Sequence, residues 1–127
     1  MKLRTYQAAD YSGCLAVFDS NVPKFFAPHE RAEFAVFLVQ SSDPYFVVTD
    51  EQGQVIGCGG YYINHARAAA GLTWGMVSRG RHRQGIGRFL LLARLRRIGQ
   101  EPAVTSVLIN TSQHSYGFFE KMGFVVE

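Results

Sequence analysis

Apolar and polar positions change their spacing several times along the chain, and each change marks an element. Lys2 to Gln7 reads as an opening strand. After Asp10, the apolar residues Cys14, Leu15, Val17 and Phe18 recur at helical spacing, with Asp10 as the expected cap. A second helix is predicted from about Pro28 to Val39, with Phe34, Val36, Phe37 and Leu38 as its apolar content, and Asp43-Pro44 ends it. Tyr45 to Val48 is aromatic and β-branched, and Asp50-Glu51-Gln52-Gly53 turns the chain into Val55 to Ile63, so the two runs form a hairpin. Gly57, Gly59 and Gly60 inside the second run predict a bulge or a close backbone approach.

Beyond a loop at Asn64 to Ala70, Leu72 to Val77 reads as a further strand. A loop from Ser78 to Gln84 then leads into a helix from Gly85 to about Gly99 and a buried strand from Val104 to Ile109. A short helix at Ser115 to Met122 and a strand at Phe124 to Val126 complete the pattern. The order β-α-α-β-β-β-α-β-α-β is mixed α/β with a strand-helix-strand crossover. No repeat or linker divides the 127 residues, so residues 1–127 are expected to form a single domain.

Composition narrows the class. With 47% hydrophobic and 18% charged residues, a disordered chain is excluded. The longest apolar run, Phe34 to Val39, is far shorter than the roughly 18 residues that a membrane-spanning helix needs. Gln7 and Asp10 interrupt the N-terminus before a signal-peptide core forms, so the expected compartment is the cytoplasm. Cys14 and Cys58 share no ligand spacing with the histidines and are expected to be buried thiols, and no metal is expected.

The net charge of +3 hides a strong asymmetry. Residues 1–51 carry four basic and seven acidic groups, whereas residues 52–100 carry eight arginines and no acid. Seven of these, Arg79, Arg81, Arg83, Arg88, Arg94, Arg96 and Arg97, fall within nineteen positions, a field suited to a polyanion. Arg94, Arg96 and Arg97 are read as a solvated face with salt bridges. The four around the glycine loop are read as ligand-facing. No helix-turn-helix, RNA-recognition or zinc pattern accompanies the charge, so nucleic acid is not the expected partner.

The chemistry concentrates in Arg81-His82-Arg83-Gln84-Gly85-Ile86-Gly87-Arg88, between a predicted strand and a helix that opens on glycines. The first amides of a helix lack intrahelical acceptors and carry partial positive charge, so a phosphate binds well there. Gly85 and Gly87 let it approach the main chain, and Arg83 and Arg88 add formal charge. There is no Gly-Lys-Ser/Thr for a Walker site, and Leu90 stands where a dinucleotide fold would want its third glycine.

Val77 to Leu91, with its core His82-Arg83-Gln84-Gly85-Ile86-Gly87, closely resembles the acetyl-coenzyme A loop of the GCN5-related N-acetyltransferase (GNAT) superfamily, and Phe118-Phe119-Glu120-Lys121-Met122-Gly123-Phe124 resembles its second signature. The resemblance implies the acyl-CoA N-acyltransferase fold, a central mixed sheet with splayed parallel strands flanked by helices. Acetyl-CoA is then the co-substrate, its arm on main-chain groups of Met76 and Val77, its pyrophosphate on amides from His82 to Arg88, and Phe119 beside it. The activity implied is transfer of acetyl from acetyl-CoA to a primary amine by direct attack in a ternary complex, with a small-molecule or peptide acceptor. The alternative is a catalytically impaired acetyl-CoA-binding module.

Such a reaction needs a base, an oxyanion donor and an acid. Main-chain N–H near Met76 to Ser78 is the expected oxyanion donor. Many relatives carry tyrosine at the position of Phe119, and Tyr116, one turn earlier, is the substitute candidate for the acid. Glu30 is the leading candidate base, beside Glu33, His29, His65 and His114, and Trp74 is a candidate lining of the acceptor site. His82 replaces the loop's usual Arg or Gln. The family adds a strand after the last one seen here, so the expectation is either a shortened sequence or an edge covered by a partner, such as a second copy in a homodimer.

Overall fold

The computed structural model describes residues 1–108. A five-stranded sheet is built from β1 (Lys2–Thr5), β2 (Tyr45–Thr49), β3 (Val55–Asn64), β4 (Ala69–Val77) and β5 (Ser106–Leu108), side by side in that order. Neighbours from β1 to β4 are antiparallel, and β4 and β5 are parallel. Helices α1 (Tyr11–Ser20) and α2 (Glu30–Gln40) precede β2, and α3 (Ile86–Ile98) joins β4 to β5.

Covering the sheet on both faces explains why all five residues of β2 are buried. Tyr45 and Val47 face α1 and α2, where they meet Cys14, Phe18, Phe34 and Leu38. Phe46 and Val48 face α3, where they join clusters holding Ile98, Ile86 and Leu90. Strand side chains alternate between faces, so an unbroken apolar run is what a doubly covered strand requires. Both cysteines are buried free thiols, as expected. The Cys14 thiol is held well above its usual range by a hydrogen bond with Cys58 and by burial.

Several boundaries move. The connection between β3 and β4 is a tight turn at His65–Arg67 closed by Ala68 at φ 51°, so the strands extend to Asn64 and from Ala69 through much of the expected loop. Helix α2 opens at Glu30 rather than Pro28; β5 opens at Ser106 rather than Val104, and its described residues are not buried as expected, Ser106 and Leu108 being exposed and Val107 half-buried. The described β4–β5 pairing joins Ala69–Gly71 to Ser106–Leu108. The expected divergence beyond it, together with the helix at Ser115–Met122 and the strand at Phe124–Val126, lies outside the described residues.

Asp10 does not cap α1 through its side chain. Its buried carboxylate accepts both Arg4 guanidinium nitrogens at 2.7 Å and the Gln7 N–H at 2.9 Å, tying β1 to the start of α1. The Arg4 hydrogen bonds hold the Asp10 carboxyl below its usual range. A carboxyl with a lowered native pKa stabilises the fold above its unfolded value and loses that contribution as the pH falls through the native one. Asp10→Asn should therefore lower stability at neutral pH by about 1–2 kcal/mol. It should also flatten the acid limb of the melting-temperature profile below about pH 4, as followed by circular dichroism.

Candidate functional site

One irregularity in the sheet organises the site. Gly57 pairs with Val77 and Cys58 with Met76, but Gly60 pairs with Thr73, so Trp74 and Gly75 on β4 stand opposite the single residue Gly59. The glycines of β3 predicted a bulge or close approach; the extra residue is on β4, and β3 supplies the room. Trp74 takes φ 39°, a left-handed conformation that non-glycine residues adopt at a cost. The Tyr45 hydroxyl donates to the Trp74 carbonyl at 2.7 Å from the α1–α2 face. The Trp74 ring packs on Phe34 at 5.1 Å and Phe26 at 6.2 Å, so this half-buried residue joins the aromatic core as well as bordering the surface on that side.

Beyond the bulge, Ser78 N–H donates to Ile56 O at 2.9 Å, so the carbonyl of the same peptide, Val77 O, points away from β3. Within a strand a residue's N–H and C=O share a side, which directs the Val77 main chain away from β3 and that of Met76 towards it. Of the two residues expected to hold a substrate arm, Val77 is the one with main-chain groups so directed. Its carbonyl is already engaged, accepting the Asn21 side-chain amide at 2.9 Å and contacting His82 Nε2 at 2.9 Å.

These contacts belong to a set that anchors the loop after β4. Asn21, 2% exposed, also donates to Val17 O at the end of α1. Ser20 Oγ accepts the Arg79 N–H at 3.0 Å. The His82 ring meets Phe25 edge-on at 5.2 Å, so the side chain replacing the usual Arg or Gln turns inward and fastens the loop. Arg81 donates to Asp50 at 3.0 Å. The turn between β2 and β3 thus brings an acid into the arginine block, and Arg81 is a structural ion pair rather than a ligand-facing cation. Asp50 and Arg81 also border a cleft of about 320 Å³ between that turn and the loop, with Glu51 and Gln84. Its acidic wall is the wrong sign for a diphosphate.

Arg83 at φ 66° and Gly85 at φ 80° carry the chain into α3. Gly85 occupies the N-cap position without a side-chain cap, is exposed, and a Cβ built on it meets no atom within 4 Å. Among the described residues, no side chain plugs the helix start there. Arg83, Gln84 and Arg88 are exposed around it, whereas the Ile86 side chain is buried in the core with Leu90, leaving its amide as the part suited to a ligand. An uncapped helix N-terminus entered through positive-φ residues is a main-chain cradle for an anion, and the residues present fit a diphosphate.

The remaining candidates separate. Glu30 lies at the start of α2, one turn before Phe34 and on the same face, and its Oε1 accepts the Ala27 N–H at 3.3 Å. His29 and Glu33 are exposed on the same stretch. His65 sits in the β3–β4 turn, at the opposite end of β4 from the loop. Tyr116, Phe119 and His114 lie outside the described residues. Among the described residues no cluster of histidine, cysteine and acidic side chains is suited to a metal, and no helix is long and apolar enough to cross a membrane.

The family model described as the acetyltransferase (GNAT) family matches residues 14–124. The chain belongs to that family. No curated protein matches the chain. Among solved structures, a GNAT-family acetyltransferase from Brucella melitensis in complex with acetyl-CoA is similar with a TM-score of 0.77 and 17% identity, over 98% of this chain and 82% of that one. A protein from Desulfovibrio desulfuricans described as a GNAT-family acetyltransferase gives 0.83 and 20%, over 99% and 86%. One from Agrobacterium tumefaciens described as an acetyltransferase gives 0.76 and 24%, over 100% and 94%. At these identities the structures establish that this GNAT protein has the family's mixed α/β acyltransferase fold.

Sequence reasoning missed three parts of the site. The bulge residue had one signal, the Gly75 that follows Trp74. Asn21 and Ser20 had none, because their partners are 56 and 59 residues away. Asn21→Ala should lower stability by about 1–3 kcal/mol, since the hydrogen bonds to Val17 O and Val77 O are both lost, and chemical denaturation measures it. The same substitution should speed amide exchange at Ser78–His82 more than in β2.

Proposed function

We propose that this GNAT protein transfers acetyl from acetyl-CoA to a primary amine, by direct attack of the amine on the thioester within a ternary complex. The observation that carries the reading is the uncapped N-terminus of α3 at Gly85, placed directly after a bulged strand whose last main-chain groups turn away from β3. In this reading the diphosphate is received by the amides from Arg83 to Arg88, without the expected His82 N–H, which donates to Arg79 O at 3.4 Å, and the exposed arginines add charge. The Val77 carbonyl is already engaged, so among the described residues the Val77 N–H is the main-chain group proposed to serve the acyl arm or the developing oxyanion. Ser78 N–H is used by Ile56.

In the transfer the ammonium gives one proton to a base, the nitrogen–carbon bond forms, the carbon–sulfur bond breaks, the acid protonates the leaving thiolate, and the second proton lost by the attacking nitrogen restores the acid. Glu30 is the proposed base, acting from the α2 face that also carries Phe34, and Tyr116 the proposed acid. Trp74 and Phe26 support an acceptor site beside α2. Glu30 and Glu33 in the first turn of α2, outside the ion pairs made by Asp10, Asp19 and Asp50, favour a cationic acceptor, a small amine or a peptide amine. The proposed setting is the cytoplasm.

Excess acetyl-CoA should raise the melting temperature, because a ligand that prefers the folded state stabilises it by mass action. A protein whose melting does not shift contradicts the proposal. Gly85→Val should weaken acetyl-CoA binding by at least about tenfold, because a β-branched residue disfavours φ 80° and crowds the amides. Isothermal titration measures that change. Release of free thiol across a panel of amines then identifies the acceptor class.

A further inference from the structure

Ile86, Leu90, Arg94 and Ile98 recur at four-residue spacing on α3, and all four are buried. Arg94 therefore sits on the core face of the helix, 5% exposed, and not on the solvated face expected for it. Among the described residues no ion pair with a carboxylate is found for it. Its Nη1 donates to Gly60 O at 3.3 Å and its Nε to Leu90 O at 3.4 Å. Removal from water draws its pKa down to about 10, which leaves it charged at neutral pH.

The place this side chain occupies is the underside of the β4 bulge. A Cβ on Gly75 would lie 3.0 Å from both terminal guanidinium nitrogens, and one on Gly59 would lie 3.2 Å from Cζ and Nη1. Gly59 and Gly75 are the two residues brought opposite each other by the extra residue of β4. Tyr61 N–H is used by Pro44 O on the β2 side, so Gly60 O points to β4, where the bulge interrupts the ladder, and Arg94 supplies its donor. Tyr45 holds the bulge from the other face through Trp74 O. A buried guanidinium is a poor choice for stability alone, since well-packed apolar replacements are often neutral or stabilising.

We propose that Arg94 is a positioning residue for acyl transfer: seated in the notch made by Gly59 and Gly75, it locks the Trp74–Gly75 bulge and so fixes the direction of the Val77 main chain. The inference rests on the acetyltransferase reading above, and it adds a residue two turns inside α3 to those that govern the reaction.

The test uses Arg94→Leu, Arg94→Lys, Gly75→Ala and the pair Arg94→Leu with Gly75→Ala. In the ligand-free proteins, hydrogen exchange at Trp74–Val77 should be faster in Arg94→Leu, while α1 amides and the melting temperature stay near those of the unchanged protein. In turnover with the best amine, Arg94→Leu should lose about tenfold or more in kcat with KM for acetyl-CoA within about twofold. Arg94→Lys should recover part of that loss. Gly75→Ala, which displaces the guanidinium, should also lower kcat, and the double variant should be no worse than Arg94→Leu alone, because both act through one contact. Unchanged exchange at the bulge overturns the proposal, as does kcat within about twofold of the unchanged protein or fully additive losses. Should Arg94→Leu fail to fold, Arg94→Lys and Gly75→Ala decide the question by the same exchange and kcat readouts. The exchange measurement needs no substrate, so a protein that turns over no amine would remove the acetyltransferase reading and leave the role of Arg94 at the bulge separately decided.

Discussion

An antiparallel pair in which one strand carries an extra residue cannot keep its ladder intact, and β4 carries that residue at Trp74–Gly75. The left-handed φ of Trp74 is unfavourable, so the bulge persists only because its surroundings hold it. Tyr45 bonds the Trp74 carbonyl on one face, and the aromatic group of Phe26, Phe34 and Phe37 surrounds the ring. On the other face, two glycines leave the space that Arg94 fills. The direction of Val77 and the start of the loop follow from this arrangement.

The loop inherits its position from the strand and is then fastened from three directions. The end of α1 reaches it through Ser20 and Asn21, the α1–α2 connection through Phe25, and the β2–β3 turn through Asp50. Among the described residues, what remains open is the main chain at Gly85, where the amides opening α3 are uncapped by a side chain. Rigid support around a bare helix start is the arrangement an anion site needs, because amides already held in place lose little freedom when the ligand arrives.

The arginine block shows how one charge pattern divides in three dimensions. Arg81 is neutralised by an acid from 31 positions earlier, Arg97 lies over the Phe46 ring at 4.6 Å, Arg94 is buried beneath the bulge, and Arg83 is exposed by the glycines. Counting charges along the chain marks an electropositive region, but the partner of each cation depends on which strand turns arrive beside it. Coulomb interactions act between neighbours in space, and the sequence orders neighbours only along the chain.

Element types, the hairpin, the buried cysteines and the glycine loop were legible because they depend on local periodicity and on residues with few allowed conformations. The four-residue recurrence of Ile86, Leu90, Arg94 and Ile98 was also present in the sequence, but a single arginine among apolar residues is ordinarily assigned to the solvated face. Only the folded sheet could show that Gly59 and Gly75 come together to receive it, that Asn21 reaches Val77, and that Asp10 serves Arg4 instead of capping α1. Each of these is a contact between segments distant in the chain or a register offset between strands. No local preference encodes such an offset, because it is set by how two faces of side chains pack at once.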